Sequence, residues 1–124
     1  MTSATALILF AHGARDPEWA NPLRRVQAAI AARAPGRRVE LAFLELMAPT
    51  LADCVAALAA DGVTRIAVVP MFIAQGGHLK RDLPALLAEL RERHPQIDLL
   101  LAPAIGEAAS VIDAMALAAL AAAG

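Results

Sequence analysis

Two histidines and one glutamate of this chain stand at places in the sequence where they could bind a metal ion together. His12 follows the apolar run LILFA, Glu45 lies in the segment AFLEL, and His78 follows the glycine pair of MFIAQGGHLKRDLP. Imidazole and carboxylate groups are suitable ligands for divalent iron, cobalt, nickel and zinc. Taken singly, each residue has an ordinary structural interpretation, as a hydrogen-bonded strand end or an ion-pair partner. The chemistry therefore depends on whether the fold brings the three together.

Four short apolar runs alternate with longer segments of helical spacing. The runs predict strands at 6–11, 39–46, 65–70 and 97–102. Continuous apolar stretches of this length are typical of parallel strands that are covered on both faces. Apolar residues that recur every three or four positions predict a helix after each strand, the last from about Glu107 to Ala122. The first three helices end at Pro35-Gly36, Asp61-Gly62 and His94-Pro95.

This alternation predicts a single α/β domain over residues 1–124, a flavodoxin-like three-layer sandwich around a four-stranded parallel sheet of order 2-1-3-4. In such sheets ligands bind beyond the carboxyl ends of the strands, where the first and third strands adjoin. His12, Glu45 and His78 are each expected at or after such an end. The topology therefore favours a cluster of these residues that binds a divalent transition metal.

Composition excludes several classes of protein. The 124 residues suffice for one domain, and a net charge of -1 gives no basic surface for nucleic acid. A hydrophobic content of 59% predicts apolar surface shared with a partner subunit. The single cysteine, Cys54, is expected in the core and fits a reducing cytoplasm. The apolar tail at 114–123 is shorter than the roughly 20 residues that cross a bilayer, so we expect no membrane partner and a helix packed on protein.

Two other functions use the same residues. The pair Gly76-Gly77 ahead of a helix could form an anion-binding turn for phosphate. A phosphoryl-transfer domain would also need an acidic cluster for magnesium or a phosphate loop with Lys and Ser or Thr, and neither is evident. A metal carrier or sensor would use the histidine and glutamate cluster to bind a metal ion without inserting it into another molecule. His94 stands at a helix end, where an imidazolium favours the helix dipole, and is expected to be structural.

The segments HGARDP, FLELMAPTL and MFIAQGGHLKRDLP together resemble the class II chelatases, the family of sirohydrochlorin cobaltochelatases and ferrochelatases. The resemblance covers nearly the whole chain, and its most specific element is G-G-H-x-x-x-D-[IL]-P. It implies ATP-independent insertion of a divalent metal into sirohydrochlorin for cobalamin or siroheme synthesis, with cobalt as the first choice and iron or nickel as alternatives. It also implies that His12 and His78, helped by Glu45, hold the metal as substrate and act in catalysis, with no permanently bound cofactor.

The chemistry of this substrate suggests a second set of residues. Sirohydrochlorin bears many carboxylates, and the candidate basic partners are Arg15, Lys80 and Arg81. Contacts with the flat ring and its edge would come from Met47, Met71, Phe72, Gly76 and Gly77. Larger relatives carry two such domains in tandem, so the resemblance implies a homodimer. The sequence leaves open which group accepts the two pyrrole protons.

Overall fold

A four-stranded parallel sheet with flanking helices forms the chain, as shown by a computed structural model that describes residues 5–124. The strands are β1 (Ala6–Ala11), β2 (Val39–Phe43), β3 (Arg65–Pro70) and β4 (Asp98–Leu101). The helices are α1 (Asn21–Arg33), α2 (Leu51–Ala60), α3 (Gly77–Arg93) and α4 (Ala109–Ala122). Short 3-10 helices precede α1 and α4, at Pro17–Ala20 and Ile105–Glu107. The strand order is β2-β1-β3-β4, which confirms the predicted α/β fold and topology.

The first face of the sheet carries the main hydrophobic core. Side chains alternate along a strand, and Ile8 and Phe10 of β1 lie in one buried cluster with Ile66 and Val68 of β3. Helices α2 and α3 cover this face with the buried side chains of Leu51, Val55, Leu58, Leu83, Leu87 and Leu90. The cluster fixes the ends of β1 and β3 and the start of α3, which carry the candidate site.

The second face of the sheet is only partly covered. It presents Leu7, Leu9 and Val69 to a groove between α1 and α4, and neither of these helices has a buried residue. On β4, Leu99 and Leu101 pack on the first face, whereas Leu100 on the second face remains 60% exposed. The predicted three-layer sandwich is therefore closed on the first face and open on the second.

Strand β2 is shorter than the sequence predicts, because the chain turns after Phe43. The Phe43 N–H donates to the carbonyl of Pro49 at 2.9 Å, and Leu46 adopts the left-handed backbone conformation with φ of 67°. Both features belong to a reversal of the chain just after the strand. Glu45 consequently lies beyond the strand with 57% of its side chain exposed, and not inside a buried strand as predicted.

The helical segments also differ in detail from the prediction. Trp19 belongs to the 3-10 helix before α1 and is 41% exposed, and Glu107 belongs to the 3-10 helix before α4. Gln27 of α1 donates from Nε2 to the carbonyl of Val39 at 2.7 Å. Because β2 lies at an edge of the sheet, this side chain supplies a hydrogen-bond donor where a neighbouring strand is lacking.

Candidate metal site and substrate cavity

His12 is the first residue after β1, at the carboxyl end of the sheet. Its neighbour Gly13 has a φ of +95° and lies so close to the segment after β2 that a Cβ there would overlap the carbonyl oxygen of Glu45. Only glycine combines this backbone angle with so close an approach. Gly13 therefore lets the loop after β1 lie directly against the segment that carries Glu45.

Backbone hydrogen bonds continue between these two segments past the strand ends. The Leu44 N–H donates to the Ala11 carbonyl at 2.9 Å, and the Glu45 N–H donates to the His12 carbonyl at 3.1 Å. This pairing places the two side chains together, with 3.6 Å between His12 Nε2 and Glu45 Oε1. A contact at this distance between two side chains that are both more than half exposed contributes little to stability. Its imidazole nitrogen and carboxylate oxygens are therefore available to a ligand.

A cavity of about 380 Å³ adjoins this pair, and we call it the His12 cavity. Its lining residues are His12, Leu44, Phe72, Ala74, Gly76, Gly77, His78, Leu79 and Asp82. His78 is the second residue of α3, after the N-cap Gly76. The end of β1 and the start of α3 thus bring His12 and His78 to the same cavity, whereas Glu45 lies against His12 outside the lining.

Phe72 forms an aromatic wall beside His12. The rings of Phe72 and His12 meet edge to face with centroids 6.2 Å apart, and Phe72 meets Phe10 of the core in the same manner at 6.1 Å. The Phe72 carbonyl accepts a hydrogen bond from the Gly106 N–H at 2.9 Å. Gly106 is buried so close to the Ile73 backbone that a Cβ would overlap it. The 3-10 helix before α4 therefore fixes the position of this wall.

The residues described by the structure place a pair of candidate ligands next to a cavity and do not form a complete cage. Across residues 5–124, no group of three or more His, Cys, Asp or Glu side chains is close enough to hold a metal ion. The structure therefore joins His12 with Glu45, and His12 with His78 around the cavity, without assembling the three-residue cluster expected from the sequence. A site with few protein ligands leaves coordination positions open, whereas closed sites hold their metal as a structural element.

The residues proposed for substrate binding fall into three groups. Phe72, Gly76 and Gly77 line the His12 cavity. Met47 and Met71 pack instead against the small buried cluster of Ala11, Ala20 and Phe43. Arg15, Lys80 and Arg81 are exposed and stand outside the cavity lining, Arg15 in the loop after His12 and the other two in the first turns of α3.

Leu44 and Asp82 line the cavity but were not singled out from the sequence. Asp82 follows His78 by four residues in α3, and residues at this spacing lie on one face of a helix. The spacing H-x-x-x-D could therefore have assigned Asp82 to the site. Leu44 is 40% exposed just after β2, and no spacing signal distinguishes it from Met47.

Cys54 and His94 lie apart from this site. Burial in the core raises the pKa of the Cys54 thiol to about 11, with a smaller contribution from the Glu40 carboxylate that the Arg38 guanidinium opposes. A thiol that stays protonated is a poor metal ligand, which agrees with the predicted core role. His94 is the C-cap of α3, at the end opposite His78. Its backbone N–H donates to the Leu90 carbonyl at 2.9 Å.

None of the helices within residues 5–124 is long and apolar enough to span a bilayer.

Comparison with known proteins finds a family model and several relatives that match this chain. The CbiX family model matches residues 6–120. A sirohydrochlorin cobaltochelatase of Methanopyrus kandleri is 37% identical over 82 residues, which cover 66% of this chain and 57% of that protein. The chain therefore aligns with little more than half the length of this curated relative.

Two solved structures match this chain over more of its length than the curated relative does. A CbiX protein of cobalamin (vitamin B12) biosynthesis from Marinobacter aquaeolei VT8 superposes with a TM-score of 0.82 and 28% identity, covering 94% of both chains. SirB from Bacillus subtilis with Fe3+ gives a TM-score of 0.75 and 26% identity, covering 93% of this chain and 46% of SirB. The CbiX structure thus matches this chain over 94% of both lengths, whereas SirB matches it with just under half of its own length.

Proposed function

The chain belongs to the CbiX family, and from this premise we propose that it inserts a divalent metal ion into sirohydrochlorin. The observation that carries the proposal is the His12–Glu45 pair, 3.6 Å apart, beside a cavity that also contains His78. The name of the Methanopyrus relative, a sirohydrochlorin cobaltochelatase, supports the choice of substrate.

Metal insertion needs a site that binds the metal and then releases it. Two protein ligands, the imidazole of His12 and the carboxylate of Glu45, would leave positions on the metal for the macrocycle nitrogens. As the metal enters, two pyrrole N–H bonds break and two protons leave, so the charge of the metal replaces that of the protons. His78 and Asp82, which line the cavity, are placed to accept these protons and pass them to water.

The walls of the cavity suit one edge of a flat macrocycle. Leu44 and Phe72 supply apolar surface next to His12, and Gly76 and Gly77 present backbone without side-chain bulk. The ring carboxylates would extend past the rim, where the exposed Arg15, Lys80 and Arg81 offer positive charge. Met47 and Met71, packed in the small cluster, would support the loops and not contact the ring.

We propose cobalt as the first substrate metal, with iron and nickel as alternatives. Imidazole and carboxylate ligands accept all three divalent ions. The reaction itself transfers no electrons, so no permanently bound cofactor is needed. The single cysteine, buried and protonated, is compatible with the cytoplasm as the site of action.

A homodimer is part of the proposal. The cavity of about 380 Å³ is near the lower end of the range for small-molecule sites, so one copy would enclose only part of a tetrapyrrole. A second copy would supply the opposite wall. The match to just under half of SirB supports an arrangement in which two such units act together.

The experiment that tests this function mixes the protein anaerobically with sirohydrochlorin and Co2+ and follows the visible spectrum of the macrocycle. We expect wild-type protein to speed the spectral change well above the uncatalysed rate, and His12→Ala and His78→Ala to lose most of the acceleration. His94→Ala, at the far end of α3, should keep it. If His12→Ala and His78→Ala both fold and both insert cobalt at the wild-type rate, these two histidines do not act in the reaction.

The same assay separates the chelatase from a metal carrier or sensor. A carrier would bind Co2+ through His12 and Glu45 but leave the macrocycle spectrum unchanged. Repeating the assay with Fe2+ and Ni2+ at equal concentrations ranks the metals by insertion rate.

A further inference from the structure

Helix α4 is apolar along its length and lies almost wholly in solvent. It contains no buried residue, and its large side chains Ile112, Met115, Leu117 and Leu120 are between 37% and 69% exposed. Asp113 is the single charged residue in the 14-residue sequence of this helix. A helix that is apolar all round is normally buried in protein. We therefore expect another protein surface to cover this helix, because its own sheet does not bury it.

The second face of the sheet has a matching apolar groove of about 480 Å³, which we call the α1–α4 groove. Its lining residues are Leu7, Leu9, Val26, Ile30, Val69, Met71, Ile105 and Val111. All are apolar, so the groove offers no charge to attract a polar ligand. Val111 is the only α4 residue in the lining, so the rest of the helix lies outside the groove of its own chain.

We propose that the α1–α4 groove of each copy receives helix α4 of a second copy of this chain. This inference rests on the homodimer in the proposed function and specifies which surface forms it. Each copy contributes one apolar helix and one apolar groove, and Val111 places the helix at the edge of its own groove. A two-fold axis beside this edge makes the exchange reciprocal, so that both helices and both grooves are covered in one isologous interface.

The chemistry of the two surfaces favours an identical helix over other occupants. The groove has no polar side chain to recognise a small polar ligand, and α4 has no basic residue to hold it at an anionic membrane surface. Alanines separate the large side chains of α4, which allows close approach to the sheet surface around Leu7 and Val69. The match between this chain and just under half of SirB also fits two such units packed together.

The exchange would also support the candidate site. Met71 lines the groove, whereas Phe72, the next residue, lines the His12 cavity. At the base of α4, Ile105 lines the groove, and its neighbour Gly106 donates to the Phe72 carbonyl. A helix seated in the groove therefore presses on the same segments that hold the aromatic wall of the cavity.

Charge introduced at exposed positions tests the interface without disturbing the monomer core. Leu117→Glu and Leu120→Glu alter side chains that are 66% and 69% exposed in the single chain. Ala56→Glu, on the outer side of α2 over the first face, is the matched control. By sedimentation at micromolar concentration, we expect wild type and Ala56→Glu to be dimers and the two α4 variants to be monomers.

Cross-linking then identifies which copy provides the helix. A chain with Cys54→Ala, Val26→Cys and Leu120→Cys carries one thiol in the groove and one on α4. A short bismaleimide should yield covalent dimers on a denaturing gel. Intramolecular cross-links in a monomer would mean that α4 folds onto its own sheet and would overturn the proposal.

The remaining outcomes separate this inference from the proposed function. Dimeric α4 variants would mean that another surface forms the dimer, which overturns the exchange and leaves metal insertion standing. A monomeric wild type that inserts cobalt at full rate would overturn both the dimer and the exchange, but not the chemistry. If wild type forms the dimer through α4 but does not insert cobalt, the proposed function is overturned and the exchange stands.

Discussion

The Nε2 atom of His12 lies 3.6 Å from the Oε1 atom of Glu45. Neither strand alone explains this distance, because both residues lie beyond strand ends. It results from the hydrogen bond between the Glu45 N–H and the His12 carbonyl and from the missing side chain of Gly13. Backbone geometry thus sets the distance between the two side chains that we propose as metal ligands.

Replacement of Glu45 by Gln should weaken cobalt binding. The amide keeps the size of the side chain but removes the negative charge that favours a divalent ion next to His12. Outer residues that only orient metal ligands contribute roughly 10- to 100-fold to affinity, so we expect the loss of a direct ligand to reach at least that range. Calorimetric titration with Co2+ measures it, with Glu92→Gln on the exposed side of α3 as control. Equal affinity in both variants would contradict a ligand role for Glu45.

The elements around this pair were largely predictable because their signals are local. Short apolar runs and the turn residues between them indicated four strands, and two of these, Ala6–Ala11 and Arg65–Pro70, have the predicted bounds. The second strand was predicted too long, since AFLEL continues the apolar run. The reversal at Leu46, with φ of 67°, depends on the backbone and leaves no mark in the residue types.

The parts that failed depend on contacts made in three dimensions. Helix α4 is apolar on every side, so its sequence could not show which face meets the sheet. Met47 and Leu44 are both apolar residues of one loop, yet only Leu44 lines the cavity. Side-chain direction in a loop follows from local backbone angles, which residue spacing does not encode.

Replacement of Gly13 by Ala should cost more stability than the same change at Gly36. Both glycines have a left-handed backbone, with φ of +95° and +87°, so each variant loses about 1–2 kcal/mol from that source. A Cβ at Gly36 meets nothing within 4 Å, whereas one at Gly13 overlaps the Glu45 carbonyl. Forced movement of packed groups adds about 1–3 kcal/mol. Urea unfolding of both variants checks the difference, and equal losses would mean that the two loops are not held together through Gly13.

Replacement of Gly106 by Ala should lower activity by shifting Phe72. A Cβ at this position overlaps the Ile73 backbone, and the Gly106 N–H holds the Phe72 carbonyl. We expect a reduced kcat for metal insertion and a changed environment of the Phe72 ring in NMR spectra. Gly62→Ala, in open space after α2 with φ of +84°, should cost stability without altering kcat. A fully active Gly106→Ala protein with an unchanged Phe72 ring signal would show that Gly106 does not fix the position of Phe72.

The stability of the protein should decrease in alkali because of Cys54. Burial raises the pKa of this thiol to about 11 from an ordinary value of 9.0. Between these two pH values the unfolded chain has lost the thiol proton while the folded chain still holds it. The contribution is therefore complete below about pH 9 and is lost as the pH rises through about 11. Two pKa units correspond to at most about 2–3 kcal/mol.

Urea unfolding from roughly pH 8 to roughly pH 11.5, a range that contains both pKa values, tests this effect. At each pH, the unfolding free energy of wild type is compared with that of Cys54→Ala. The variant loses some packing at every pH, so the informative quantity is the change in that difference with pH. The gap in unfolding free energy should shrink as the pH rises. A gap that stays constant would show that the thiol ionises equally in both states.

Replacement of Asp82 by Asn should slow metal insertion while leaving cobalt binding unchanged. Asp82 lines the cavity one helical turn after His78, but it is not part of the His12–Glu45 pair. A carboxylate at this place can accept a proton as the pyrrole N–H bonds break, and positioned proton acceptors contribute roughly 10²–10⁴-fold to rates. The amide cannot accept that proton, so kcat should fall and its dependence on pH at the acid side should change. Asp53→Asn, on the exposed surface of α2, is the matched control and should behave like wild type. A lowered affinity for Co2+ with an unaltered kcat would instead make Asp82 a metal ligand, and wild-type values for both would remove it from the mechanism.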